Sequence, residues 1–306
     1  MLFDVPFTTY GETVTYRGNG ATEAAKAGAV AALVRSVTPR SLDTPHTGGM
    51  RYDSVTKRIP VAAVTVEDAQ LLHRMQERGQ RPTLTLKMEA RTLPDARSRN
   101  VVAELRGREL PDEIVVMGGH IDSWDVGQGA MDDAGGVLVA WEAIRLMKAL
   151  GLRPRRTIRV VGWTNEENGL AGGRAYRDAH RDELANHVLA IESDGGVFRP
   201  QGFGFTGSDS ARALVRQALS LLDRVGAGRL GGEGGGADIG PIMALGVPGA
   251  GLQVDGTEYF WYHHTNADTM DKLDVREVQL CVAAMAVLSY VVADMPERLP
   301  RAAAAP

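Results

Sequence analysis

The residues Ile114-Val115-Val116-Met117 form an unbroken apolar run, and such a run has few places to go in a folded chain. A strand with one wetted face alternates apolar and polar side chains, whereas a continuous run belongs in a strand covered on both faces of a parallel sheet. The sequence downstream keeps that rhythm. Gly135 to Leu150 spaces Val137, Trp141, Ile144 and Met147 three or four apart and stops at Gly151, which predicts an amphipathic helix with a glycine terminator. Thr157 to Trp163 predicts a strand, Gly169 to His180 a helix, His187 to Ile191 a strand, and Ser210 to Leu222 and Val275 to Val292 further helices. Alternation of this kind predicts an α/β fold: a mixed, mostly parallel open sheet with helices on both faces.

The 306 residues suggest two domains. Residues 1–94 carry 12 Lys+Arg and 9 Asp+Glu, leaving 22 and 29 for residues 95–306, so the acidic excess lies in the second part. In the first part, Ala21 to Ala32 predicts a helix, Ala32 to Val37 a strand, Ile59 to Val66 a strand, Glu67 to Arg78 a helix and Thr83 to Met88 a strand. Nothing there has catalytic spacing, and His46 and His73 read as surface or packing residues. Met1 to Phe7 resembles the end of a strand and lacks the basic and apolar regions of a signal peptide, so the chain is expected to begin within a domain.

A net charge of -4 argues against nucleic acid or an anionic membrane as partner. The runs of apolar residues look too short for a membrane span. One cysteine, Cys281, excludes an intrachain disulfide and a cysteine-ligated zinc, and its apolar setting reads as an inert buried thiol. Gly231 to Gly236 lacks the Gly-Lys-Ser/Thr of a phosphate loop and reads as a plain loop. Ser208 reads as a helix cap. No Gly-x-Ser-x-Gly and no His-Glu-x-x-His is present.

The chemistry gathers just after the predicted strands, where an open α/β sheet forms its crevice. Five segments bring imidazole or carboxylate groups to this rim: Gly118 to Trp124 with His120 and Asp122, Gly129 to Gly136 with Asp132, Thr164 to Gly169 with Glu166 and Glu167, Glu192 to Gly196 with Asp194, and Tyr262 to Asp268 with His263, His264 and Asp268. So many carboxylates would repel one another without a cation. A donor set of imidazole and carboxylate suits zinc and also admits manganese or cobalt. Five candidate ligands exceed one open tetrahedral site, and two ions sharing a carboxylate account for them. In the Glu166-Glu167 pair, one carboxylate can bind metal while its neighbour acts as general base. The Asp122 carboxylate is placed to fix the His120 tautomer.

The segments GGHIDSWDVGQGAMDDAGG, WTNEENGLAG, IESDGG and YHHTNADTMD, in that order, resemble the co-catalytic dinuclear zinc aminopeptidase and carboxypeptidase family, most closely its plasma glutamate carboxypeptidase (carboxypeptidase Q) branch. The resemblance implies a zinc exopeptidase fold and a metallo-exopeptidase acting on short peptides or dipeptides. It assigns His120 and Asp194 to one zinc, Glu167 and His264 to the other, Asp132 to both, and Glu166 to the role of base. His264 is preferred over His263 because Thr265 follows it, as in the family. His263 and Asp268 become supporting or substrate-binding residues, and a cis peptide is implied at Asp132-Asp133. The pattern GNGATEAAKAGAVAALVRS resembles a protease-associated domain, so residues 1–94 read as such a domain, N-terminally incomplete, and residues 95–306 as the catalytic domain. The family setting implies a secreted or periplasmic location if upstream sequence is missing, and is compatible with a homodimer. Two other readings remain: an amide-processing enzyme of the glutaminyl cyclase kind on the same scaffold, and a noncatalytic receptor-like module.

Overall fold

The first strands of the chain pair in parallel. In the computed structural model, which describes residues 1–302, β1 (Leu2–Phe3) leads into α1 (Tyr10–Lys26), β2 (Ala32–Arg35), β3 (Val61–Val64) and α2 (Val66–Glu77). The strands form a sheet in the order β1-β2-β3, parallel throughout. Helix α1 starts earlier than its alanine-rich stretch suggests, because the Thr9 hydroxyl accepts the Glu12 N–H and caps it. Its alanines do the packing: Ala21 and Ala24 meet Ala32 and Ile59 in a small core. The predicted strand at Thr83 to Met88 is not formed. Its backbone finds no ladder among the described residues, and Leu84, Leu86 and Met88 remain 59%, 39% and 45% exposed.

After residue 98 the elements are β4 (Val101–Leu105), β5 (Leu110–His120), α3 (Gly135–Ala149), β6 (Arg156–Trp163), α4 (Ala171–Ala179), β7 (His187–Glu192), β8 (Pro200–Thr206), α5 (Asp209–Leu219), β9 (Arg229–Leu230), α6 (Gly240–Met243), β10 (Gly249–Val254), α7 (Tyr259–Tyr262) and α8 (Val275–Asp294). Their sheet runs β4-β6-β5-β7-β10-β8-β9. The four central strands β6, β5, β7 and β10 are parallel, while β4 and β8 run against their neighbours β6 and β10. The apolar run predicted to be covered on both faces is so. Ile114 and Val116 pack with Tyr176 of α4 and Ile242 of α6, and Val115 and Met117 on the alternate face are fully buried. Strands β8 and β10, with Gly202, Gly204, Gly249 and Gly251, carry too many glycines to read as strands from residue type.

Helix α8 corrects the expectation about membrane spans, since its 20 residues are long and apolar enough to cross one by length and composition. Its Cys281, Ala284, Met285 and Leu288 are fully buried, and it packs against α3, α5 and the sheet. That is the environment of a core helix. The Cys281 thiol donates to the Phe198 carbonyl, and burial pushes its pKa to about 12, as expected of an inert thiol. Ser208 caps α5 through the Ala211 N–H.

By its internal packing the chain forms two units. One holds Met1–Arg97 with Trp124–Gly127 and Phe260–Asp268. The other holds Ser98–Ser123, Gln128–Tyr259 and the chain from Thr269 onward.

Candidate metal centre

In the second unit, parallel strands β5, β6 and β7 end side by side, and the residues that leave them carry the polar groups. His120 closes β5 and is 1% exposed. Its Nε2 lies 3.1 Å from Asp132 Oδ1 and 3.4 Å from Asp194 Oδ1. The three residues each offer a donor atom, all within 4.8 Å of one another. Burial alone would lower the His120 pKa, yet its hydrogen bonds to Asp132 and Asp194 outweigh burial and raise it. Its Nδ1–H donates to the Asp122 carbonyl at 2.8 Å, while the nearest Asp122 carboxylate oxygen is 3.9 Å away. The tautomer is therefore set by the Asp122 backbone and not, as expected, by its carboxylate.

That carboxylate has other work. It accepts the backbone N–H of Glu166 at 3.0 Å and of Glu167 at 3.3 Å, which pins the loop leaving β6. Glu166 is part-buried. Burial, and after it the Asp194 charge, push its pKa to about 7.

Asp132 sits in a turn entered through Gly129 at φ 64°, and the Asp132-Asp133 peptide is cis, as the resemblance implies. Asp133 was not singled out in the sequence, but it organises the turn by accepting the N–H of His120 at 3.1 Å and of Gly136 at 3.2 Å. It reaches His120 because position 119 is glycine: a Cβ there would stand 2.0 Å from Asp133 Oδ2.

Two further acids, to which the sequence assigns no role, are buried nearby. Glu192, two residues before Asp194, is fully buried and accepts the Ile239 N–H at 2.9 Å. Asp238, after the glycine-rich loop, is 1% exposed. Burial, with Glu166 and Asp194 among the neighbouring charges, pushes its pKa to about 8. Burial likewise raises Asp133, Glu192 and Asp194, each further raised by neighbouring carboxylates. The Tyr259 phenol is raised by burial and then by Asp132 and Asp194. The nearness of Glu192 to Asp194, two positions on, was a usable signal, whereas Asp238 had none beyond a position after a loop.

This donor set fits a divalent cation. An imidazole with one nitrogen fixed as donor presents the other toward two carboxylates, in surroundings where clustered negative charge raises carboxyl pKa values. Hard oxygens and one borderline nitrogen, without thiolate, match zinc and its first-row neighbours.

His263, His264 and Asp268 belong to the first unit. His264 has φ 58°, a left-handed conformation that costs a non-glycine residue roughly 1–2 kcal/mol. Its ring stacks on that of His263, with centroids 3.6 Å apart and planes at 15°. His46, His263 and His264 each offer a ring nitrogen, the three within 4.8 Å of one another. His46, read in the sequence as surface or packing, is fully buried with its ring 5.3 Å from that of His263. Burial, then His264 and Arg17, hold its pKa well below the usual histidine range. Asp268 is buried, and its N–H donates to the Thr265 carbonyl at 3.2 Å. His73 is half exposed beside Asp4 and Glu77.

A family model described as peptidase family M28 matches residues 100–289. Carboxypeptidase Q of Xenopus laevis is 50% identical over 301 residues, which cover 98% of this chain and 64% of that protein. The Homo sapiens carboxypeptidase Q is 47% identical over the same length and coverage. The chain thus spans just under two thirds of these relatives. The crystal structure of a peptidase M28 precursor from Shewanella amazonensis SB2B superposes with a TM-score of 0.85 at 36% identity, covering 96% of this chain and 67% of that one.

Proposed function

The chain belongs to peptidase family M28, and on that premise we propose that it is a zinc-dependent exopeptidase for short peptides, dipeptides among them, with Glu166 as general base. The observation that carries this reading is the convergence of His120, Asp132 and Asp194 beside a Glu166-Glu167 loop anchored on Asp122. Following the resemblance, His120 and Asp194 would hold one zinc, Glu167 and His264 a second, and Asp132 both. Zinc, when bound, supplies the positive charge that acidifies water and polarises a scissile carbonyl. Glu166 takes the proton of the attacking water and returns it to the leaving amine. Asp122 keeps that carboxylate at its station through the backbone of residues 166 and 167.

The similarity to carboxypeptidase Q supports peptide amides as substrates. We read residues 1–94 as the protease-associated-like domain, noncatalytic in itself, and residues 95–306 as the catalytic domain.

Zinc-loaded chain is expected to hydrolyse members of a dipeptide panel. Glu166→Gln should lower turnover by ~10²- to 10⁴-fold while zinc content, read by metal analysis, stays at the wild-type value. Near wild-type turnover in that variant removes the base assignment.

A further inference from the structure

The loop after β2, in the unit without catalytic spacing, makes a reciprocal grip on His264. The Thr47 N–H donates to the His264 carbonyl at 3.0 Å, and the His264 Nδ1–H donates to the Thr47 carbonyl at 3.2 Å. An imidazole that donates from Nδ1 presents its lone pair at Nε2, so this grip fixes both the backbone and the tautomer of the residue. The Thr47 carbonyl is itself held. Arg17 of α1 donates to it from Nη1 at 2.8 Å and to the Tyr10 hydroxyl from Nη2 at 3.0 Å. Tyr10 stacks on Phe260 at 5.0 Å and meets the His263 ring edge-on at 5.0 Å. The guanidinium fits against the loop because position 48 is glycine at φ 144°: a Cβ there would stand 2.2 Å from Arg17 Cζ.

We infer that Arg17 is a positioning residue for metal binding, holding the Thr47 carbonyl that orients His264, with Gly48 as the space that admits it. The inference rests on the reading of His264 as a zinc ligand. A carbonyl has two lone pairs and can accept from both donors at once. Without the guanidinium, Thr47 is tied only to the residue it should restrain, and the imidazole loses its fixed reference. Residues 1–94, read as noncatalytic, would thereby aim a proposed zinc ligand.

The test compares the full chain with Arg17→Met and Gly48→Ala. Zinc stoichiometry is measured after dialysis against graded free zinc, alongside circular dichroism, kcat and KM. Outer partners of metal-bound histidines typically govern affinity by ~10- to 100-fold. Both variants should therefore bind one zinc as the wild type does and a second with about 10- to 100-fold weaker affinity. kcat should fall at limiting zinc and recover at saturating zinc, with KM unchanged. Should Arg17→Met fail to fold, Tyr10→Phe, which removes only the hydroxyl that accepts from Nη2, should show the same selective weakening. Two zincs bound at wild-type affinity in the folded variants overturn the inference alone. A wild-type chain that binds no zinc overturns the functional reading with it.

Discussion

Replacing Asp122 by alanine separates a ligand's support from a base's support. The carboxylate accepts two backbone N–H groups, those of Glu166 and Glu167, and hydrogen bonds to a charged acceptor contribute about 1.5–3 kcal/mol each. The side chain is 24% exposed, so water can replace part of the loss, and the lower end of that range applies. Asp122→Ala should then lose about 2–4 kcal/mol of stability, measured as a shift in urea unfolding. Asp122→Asn, with one acceptor oxygen left, should lose roughly half as much. Turnover should suffer separately. A displacement of ~1 Å in a catalytic group costs on the order of 10²-fold, so kcat on a cleaved dipeptide should fall by ~10- to 100-fold with little change in KM. The His120 tautomer bond goes to the Asp122 carbonyl, which the substitution leaves in place, so zinc held through His120 should survive. A variant with wild-type kcat would show that the Asp122 carboxylate does not station Glu166. One that loses all zinc would show that it supports His120 instead.

Three other outcomes follow from the same geometry. Gly119→Ala places a methyl 2.0 Å from Asp133 Oδ2 and should cost roughly 1–3 kcal/mol by overpacking, read by thermal unfolding, together with weakened zinc binding. Because burial holds His187 at about 4 in the folded chain against 6.5 unfolded, the unfolded state takes up its proton first as pH falls. Stability should decline between about pH 6.5 and pH 4 by at most about 3 kcal/mol, and His187→Gln should flatten that part of the urea midpoint profile. Asp133, Glu192 and Asp194 carry raised pKa values in the metal-free chain, so zinc added to chelator-stripped chain in weak buffer should release about one proton or more per chain. Binding without proton release would contradict the shared charge of the cluster.

What the sequence disclosed, and what it withheld, divides along physical lines. Strands β5, β6 and β7 are buried on both faces and so are unbroken apolar runs, and the groups after them are displayed because parallel strands end together. The candidates His120, Asp132, Glu166, Glu167 and Asp194 could be picked out for that reason. Asp133 and Glu192 lie one and two positions from such candidates but act on backbone N–H groups, which leave no mark in a pattern of side chains. His46, Thr47 and Arg17 were illegible. Their relation to His264 spans more than 200 residues and runs partly through a carbonyl, which every residue possesses. The Thr83 to Met88 alternation gave a correct pattern for a strand, but a strand also needs a neighbour, and periodicity does not supply one.

The acids of the second unit show a division of labour that neither motif nor charge count reveals. At each strand end a residue aimed at the site has a neighbouring carboxylate engaged with main chain. Asp122, two after His120, takes the N–H of residues 166 and 167. Asp133, beside Asp132, takes those of residues 120 and 136. Glu192, two before Asp194, takes that of residue 239. Backbone donors are fixed in direction and cannot be lost by a rotamer change, so these acids tie each loop to the next and hold the facing groups in register. The arrangement concentrates negative charge that the chain alone does not neutralise, which is why burial drives so many carboxyls toward protonation. A dication held by Asp132 and Asp194, as proposed, would resolve the conflict without dismantling the ties, because Asp122, Asp133 and Glu192 would keep their amide partners.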